Sequence, residues 1–311
     1  TSAWYPCAMS TVPDSPPLGT VAHGGWRDYL ELTKPKVSLL IVFTAIVGMV
    51  LASPGWIPLP ALIFGSIGIA MASGSAAAFN HILDRRIDGQ MNRTRRRPLP
   101  TGHLREGHAI AFAVALGTAS MLILAVGVNT LTAALTFCSL IGYAMVYTLW
   151  LKRATPQNIV IGGAAGAAPP VLGWAAVTNS IDPNALVLFL IVFTWTPPHF
   201  WALAIARRDD YAKVGIPMLP VTHGIPYTRL QIVLYTILLI LTTLLPFLTG
   251  MSGLIYLAAA MGLNARFLYF VVALNRGIKP DLPMRTFRFS ITYLMLLFAA
   301  LILDHYLFFP G

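Results

Sequence analysis

Three oxygen-bearing side chains recur every fourth residue in Asn80-His-Ile-Leu-Asp84-Arg-Arg-Ile-Asp88, where an apolar run ends. If this stretch is helical, residues four apart share one face with an axial step near ~6 Å, so Asn80, Asp84 and Asp88 form a column. Hard oxygen donors suit Mg²⁺, which keeps several waters and takes only one or two carboxylates, filling its other positions with phosphate oxygens. Arg93, Arg95, Arg96 and Arg97 follow at once. Each guanidinium offers phosphate a fork of donors, so metal and arginines together point to a diphosphate. The competing reading leaves Asp84 and Asp88 in headgroup water, paired with Arg85 and Arg86. Asn80 weighs against it, because it carries the column into the apolar run, where a polar group needs a partner.

A second stretch, Trp201-Ala-Leu-Ala-Ile-Ala-Arg207-Arg208-Asp209-Asp210-Tyr211, again sets acids beside bases at the end of an apolar run. Successive helical residues point about 100° apart, so Asp209 and Asp210 cannot both face one ion while the helix continues. Asp210 is the expected ligand and Asp209 a surface partner of Arg208 or Lys213. Lys34, Lys152 and Arg153 stand at the ends of other apolar runs, where phosphate binding and charge-directed topology both account for them. His199 follows Pro197 and Pro198 within an apolar run, and on the residues alone a hydrogen bond to a neighbouring helix satisfies it.

The elements that must position these groups are membrane helices. Of 311 residues 57% are hydrophobic and 10% charged, against about a quarter charged in a soluble domain. Nine stretches near 20 residues can each cross about 30 Å of hydrocarbon: Val37 to Ser53, Leu59 to Asn80, Ala109 to Val128, Leu131 to Leu151, Asn158 to Val177, Ala185 to Ala206, Leu230 to Thr249, Gly253 to Leu274 and Phe287 to Leu307. With nine spans the basic residues sort to one face. The N-terminal side receives Arg27, Lys34 and Lys36, the seven arginines from Arg85 to Arg105, and the rest from Lys152 to Arg288, save Arg266 within a span. The positive-inside rule then puts the N-terminus and the basic loops in the cytoplasm; the expected setting is a bacterial cytoplasmic membrane. The same sorting accounts for the net charge of +10 without a nucleic-acid partner.

Two cysteines, Cys7 and Cys138, rule out a disulfide framework or a cysteine metal site. Residues 1–30 read as a disordered cytoplasmic leader and 31–311 as a single transmembrane domain. Pro169 and Pro170, with the glycines from Gly162 to Gly173, predict a broken helix lining a cavity.

The motif Asn80-x3-Asp84-x3-Asp88, followed by Asn92-Arg-Thr-x-x-Arg-Pro-Leu-Pro-Thr-Gly, resembles the first aspartate motif of the UbiA superfamily of intramembrane prenyltransferases. Tyr147-Thr-Leu-Trp-Leu-Lys152-Arg-Ala-Thr-Pro-Gln-Asn, Pro197-Pro-His199-Phe-Trp-Ala-Leu-Ala-Ile and Asp210-Tyr-x3-Gly-Ile-Pro-Met-Leu-Pro-Val look like its haem-farnesylating branch. The resemblance implies an all-α, nine-helix UbiA-like bundle with a cytoplasmic-side active site, transferring farnesyl from farnesyl diphosphate to haem B (protohaem IX). It implies Mg²⁺ held by Asn80, Asp84, Asp88 and Asp210; diphosphate held by Lys34, Arg93, Arg96, Arg97, Lys152 and Arg153; and an acceptor pocket with Tyr147 and with His199 as a candidate iron ligand. It also implies a lipid-bilayer setting and contact with haem A synthase or oxidase assembly. Many superfamily members carry two acids four residues apart in the second motif. Arg207, Asp209 and Asp210 depart from that pattern, which puts a second metal in question. Prenylation of a quinone precursor or chlorophyll-type ring, anion transport, and noncatalytic haem binding are the rival functions.

Overall fold

The computed structural model describes residues 24–308, and these are helical apart from the connections, of which residues 89–105 form a long one. Among the described residues nine helices are long and apolar enough to cross a membrane: Pro35–Ala52, Ala61–Asp88, Glu106–Gly127, Thr130–Ala154, Asn158–Thr178, Pro183–Ala206, Gly224–Leu248, Leu254–Arg276 and Leu282–Leu307. Consecutive spans pack side by side and the ninth returns to the first, so the bundle closes on itself. Contacts from the first span to the fifth and from the sixth to the ninth cross its interior.

The expected leader lies outside the described residues up to residue 23. Its last part is ordered: Trp26–Leu32 is a short helix whose Asp28 Oδ2 accepts from Gly25 N at 2.9 Å. Leu32 is fully buried and joins a cluster with Ala78, Ile82, Leu99 and Leu104, which anchors this helix over the second span.

The ends of the spans differ from the hydropathy reading in a way that matters. The second span does not stop at Asn80 but stays helical to Asp88, with a π-helical turn at Ala61–Gly65. All three members of the column therefore ride on one helix. Hydropathy registers where apolar residues end, whereas helical hydrogen bonds continue as long as the polar side chains find partners, and here they do. The fourth span contains a longer π-helical stretch, Gly142–Leu151, which carries Tyr143, Tyr147 and Thr148 toward Lys152; such insertions re-aim side chains and recur at functional sites. The very short turn before Thr130 is secured by Asn129, whose Oδ1 accepts from Thr132 N at 2.8 Å and whose Nδ2 reaches Ala175 O at 2.9 Å.

The fifth span breaks at Ala168, ahead of Pro169 and Pro170, which cannot donate to the preceding turn. It is the most deeply buried of the nine. Its second half lies backbone to backbone against the first span: a Cβ on Gly173 would collide with the Ala45 carbonyl, and one on Gly48 with that of Pro170. Small residues allow this approach where lipid gives no hydrophobic drive to association. Gly173→Val is expected to cost about 1–3 kcal/mol by overpacking, read as a lower midpoint in thermal unfolding of the detergent-purified protein. An unchanged midpoint would show that the two helices can separate freely.

Polar side chains elsewhere join spans rather than form sites. Asn264 donates to Thr243 Oγ1 at 2.9 Å and accepts from the Tyr293 hydroxyl at 2.6 Å. Asp304, fully buried in the ninth span, caps the eighth by accepting from Gly253 N and Tyr256 N at 2.5 and 3.0 Å. The basic residues keep to the ends expected of them, Arg229, Arg285 and Arg288 falling within the first two turns of their helices. Arg266 alone is mid-span. It is exposed on the outside of the bundle, its guanidinium 5.7 Å from the Tyr269 ring and 5.3 Å from Phe270, drawn toward the basic end.

Candidate active site

At the basic end of the bundle the column is present and buried: Asn80, Asp84 and Asp88 are 6, 2 and 4% exposed. Asn80 Nδ2 donates to Asp84 Oδ2 at 2.8 Å, the contact that a four-residue helical step predicts. Each acid has its own cation. Lys152 Nζ, from the end of the fourth span, lies 2.6 Å from Asp84 Oδ2, and Arg97, from the loop after the second span, lies 2.6 Å from Asp88 Oδ2. The surface pairing with Arg85 and Arg86 does not form; Arg85 binds Glu106 instead.

Lys34 enters from the turn before the first span, with φ +48° ahead of Pro35, an uncommon conformation for a side-chain-bearing residue. Its Nζ donates to Asn80 Oδ1 at 2.5 Å. Burial, and then the nearby Arg97 and Lys152 charges, bring its ammonium down to about 7, with Asp84 and Asp88 opposing. Cations thus crowd this mouth beyond what the two acids neutralise, and an arriving oxyanion would relieve that repulsion.

Loop residues 89–105 close over the column by burying Met91, Thr94, Leu99 and Leu104. Thr94 Oγ1 ties this loop to the Asp88 carbonyl at 3.0 Å. Asn92 Nδ2 reaches Asp210 Oδ1 at 3.4 Å, linking the two acid motifs. Asp210 is buried and Asp209 exposed, so the neighbours point apart as helical geometry requires. Burial also raises the phenol of Tyr211 beside them.

Not every expected ligand joins this cluster. Arg96 is exposed, and Arg93, though exposed, lies close enough for its charge to act on Tyr211 and His81 at the mouth. Arg153 turns away from Lys152, into a groove on the outer side of the second span, as consecutive helical residues must. His199 sits between Trp195 and Phe287, at 4.2 and 4.6 Å between ring centroids, with Nδ1 2.6 Å from Ser290 Oγ; the helix-to-helix hydrogen bond is the one that forms. Tyr147 stacks on Tyr143 at 5.4 Å and packs where a Cβ on Gly162 would fall.

Two further side chains lie at this end of the second span: Thr148, which residue type does not flag, and His81, which the helical period turns away from Asn80. Thr148 lies 3.4 Å from Asn80 Nδ2, and His81 is 2% exposed with neither ring nitrogen hydrogen-bonded. His81, Lys34 and Arg97 line a cavity of about 440 Å³ whose outer wall is Arg27, Leu30 and Lys36. The buried Asp84 Oδ1 likewise lacks a partner. That atom fits a cation. Among the described residues no three acids, histidines or cysteines gather as a metal cage.

Residues 41–302 of this membrane-helix bundle match the UbiA prenyltransferase family, to which the chain belongs. It is a multi-pass integral membrane protein. It is 63% identical over 293 residues to protoheme IX farnesyltransferase of Alkalilimnicola ehrlichii, covering 94% of this chain and 96% of that one. To the protein of the same name from Methylococcus capsulatus it is 59% identical, covering 96 and 99%. The fold is shared with digeranylgeranylglyceryl phosphate synthase (TM-score 0.75, 18% identity, 90% of this chain and 98% of that one). It is shared also with a UbiA homolog from Archaeoglobus fulgidus bound to DMAPP and Mg2+ (TM-score 0.62, 17% identity, 88 and 99%).

Proposed function

We propose that this protein transfers the farnesyl group of farnesyl diphosphate to a vinyl group of haem B, with addition of water, giving haem O and diphosphate. The observation that carries the donor half is the buried Asn80–Asp84–Asp88 column beside Lys34, Lys152 and Arg97. The near-full-length likeness to protoheme IX farnesyltransferases supports the acceptor half. The basic mouth faces the cytoplasm by the positive-inside rule.

Asp84, through its unpartnered Oδ1, and Asp88 would hold Mg²⁺, with Asn80 orienting Asp84; Asp210, which Asn92 links to this motif, would serve an ion of its own. Bound there, the ion supplies positive charge to the departing diphosphate oxygens. Lys34, Lys152 and Arg97 release their present carboxylate and amide partners and donate to the same oxygens, a preorganised field for charge that develops as the allylic C–O bond breaks. The diphosphate leaves with the bonding electron pair. The farnesyl C1 bonds to the terminal vinyl carbon, water adds at the inner carbon, and its surplus proton is lost. Tyr147 and Tyr143 offer ring faces to the farnesyl cation, each worth up to about 2 kcal/mol when desolvated. The buried interior delays water until the new C–C bond has formed. His199, held by Ser290 and two rings, serves the acceptor side as a fixed aromatic wall.

Purified protein given farnesyl diphosphate, Mg²⁺ and either haem B or 4-hydroxybenzoate tests this directly. Chromatography is expected to reveal a hydroxyethylfarnesyl haem and no prenylated benzoate. Prenylation of the benzoate alone would assign the chain to quinone synthesis.

A further inference from the structure

The second span has two opposed faces at its basic end. Asn80, Asp84 and Asp88 are buried toward the bundle, whereas Arg86 is exposed and Phe79 and Leu83 are half-buried on the outer side. There they line a separate groove of about 650 Å³, completed by Ile110 of the third span and by Met145 and Arg153 of the fourth. Ile110 and Met145 are 40 and 41% exposed, so the groove offers an apolar floor to the bilayer. Its mouth is cationic. Arg85 is held there by Glu106, but Arg86 and Arg153 form no ion pair among the described residues.

We propose that this groove binds an anionic phospholipid, with an acyl chain along Phe79, Leu83, Ile110 and Met145 and the phosphate between Arg86 and Arg153. A basic pocket between membrane helices at the charged face attracts anionic headgroups, and guanidinium pairs with phosphate bidentately. Charge and shape also select among phosphorylated amphiphiles. A prenyl diphosphate would bring a divalent ion that needs oxygen ligands, and the groove's lining holds a single carboxylate, Glu106, with no second acid or amide beside it. A phosphodiester needs no metal. The bound headgroup has a structural consequence: Arg153 is fixed on the outer side while its neighbour Lys152 is fixed by Asp84 on the inner side, so the lipid tethers the end of the fourth span across the site's back.

Native mass spectrometry of the full chain, released from detergent with phosphatidylglycerol or phosphatidylcholine, tests the assignment. Wild type is expected to retain phosphatidylglycerol in preference. Arg86→Gln and Arg153→Gln, both at exposed positions, are each expected to weaken that retention about fivefold, and Met145→Trp, which fills the floor, to weaken it without altering charge. Equal retention of the two lipids, or undiminished retention in both arginine variants, would overturn the proposal. Displacement of phosphatidylglycerol by micromolar farnesyl diphosphate would overturn it too, by giving the groove to the prenyl donor. None of these outcomes bears on which acceptor is prenylated.

Discussion

Asp84→Asn is expected to lower Mg²⁺-dependent diphosphate release by on the order of 10³-fold while the protein remains folded, because it removes a charge that acts as the transition state forms. The asparagine keeps the shape that accepts from Asn80 Nδ2, and a single melting transition would confirm that the bundle is intact. Asp88→Asn should fall in the same range, since Arg97 is its counterpart to Lys152. Stopped release assays on both variants, over a Mg²⁺ titration, separate lost metal affinity from lost rate. Unchanged release in both would remove the acids from the chemistry and leave the Asp84–Lys152 pair as helix-to-helix glue.

Lys152→Met should affect stability as well as rate. Asp84 is 2% exposed, and without its ammonium partner it is a buried carboxylate with only Asn80 to support it; breaking such a pair typically costs about 3–5 kcal/mol. Thermal unfolding of the single variant is expected to show that loss. The Asp84→Asn/Lys152→Met double variant should recover much of it, because both charges are then gone. Diphosphate release should stay low in both. If the double variant were as unstable as the sum of the two singles, the pair would not be coupled in the way that the 2.6 Å contact implies.

The column was legible because its period is local. Positions 80, 84 and 88 share a face in any helix, and the Asn80–Asp84 hydrogen bond follows from that alone. The cations opposite them were legible as types but not as partners: Lys152 lies 68 residues from Asp84, and Lys34 46 residues from Asn80. Long-range pairing is decided by which spans pack together, and nothing in hydropathy records that. Arg153 shows the limit most clearly, since it shares every sequence property of Lys152 and points to the opposite side. The helical period at the end of the fourth span could have separated the two.

Span number and charge sorting emerged from composition and loop bias, while span ends did not. The second helix runs eight residues past Asn80, the last position assigned to the span, since Asp84 and Asp88 find cations that keep its polar turns helical. Asp304 was overlooked for a related reason. An acid deep in an apolar run signals a partner, and here the partner is the N-terminus of the eighth span. Thr148 carries no charge and gives no signal in residue type, and His81, next to Asn80 but about 100° round the helix, reads as pointing away from the column. Their place beside Asn80 and Lys34 follows only from the meeting of the first, second and fourth spans.

A structure of the protein with Mg²⁺ and a non-hydrolysable farnesyl thiodiphosphate probes the mouth of the second span most directly. The diphosphate is expected between Asp84 and Asp88 on one side and Lys34, Lys152 and Arg97 on the other, with the Lys152–Asp84 contact opened to admit it and metal on Asp84 Oδ1. Diphosphate bound elsewhere, with Lys152 still on Asp84 and Arg97 still on Asp88, would contradict a catalytic role for the column.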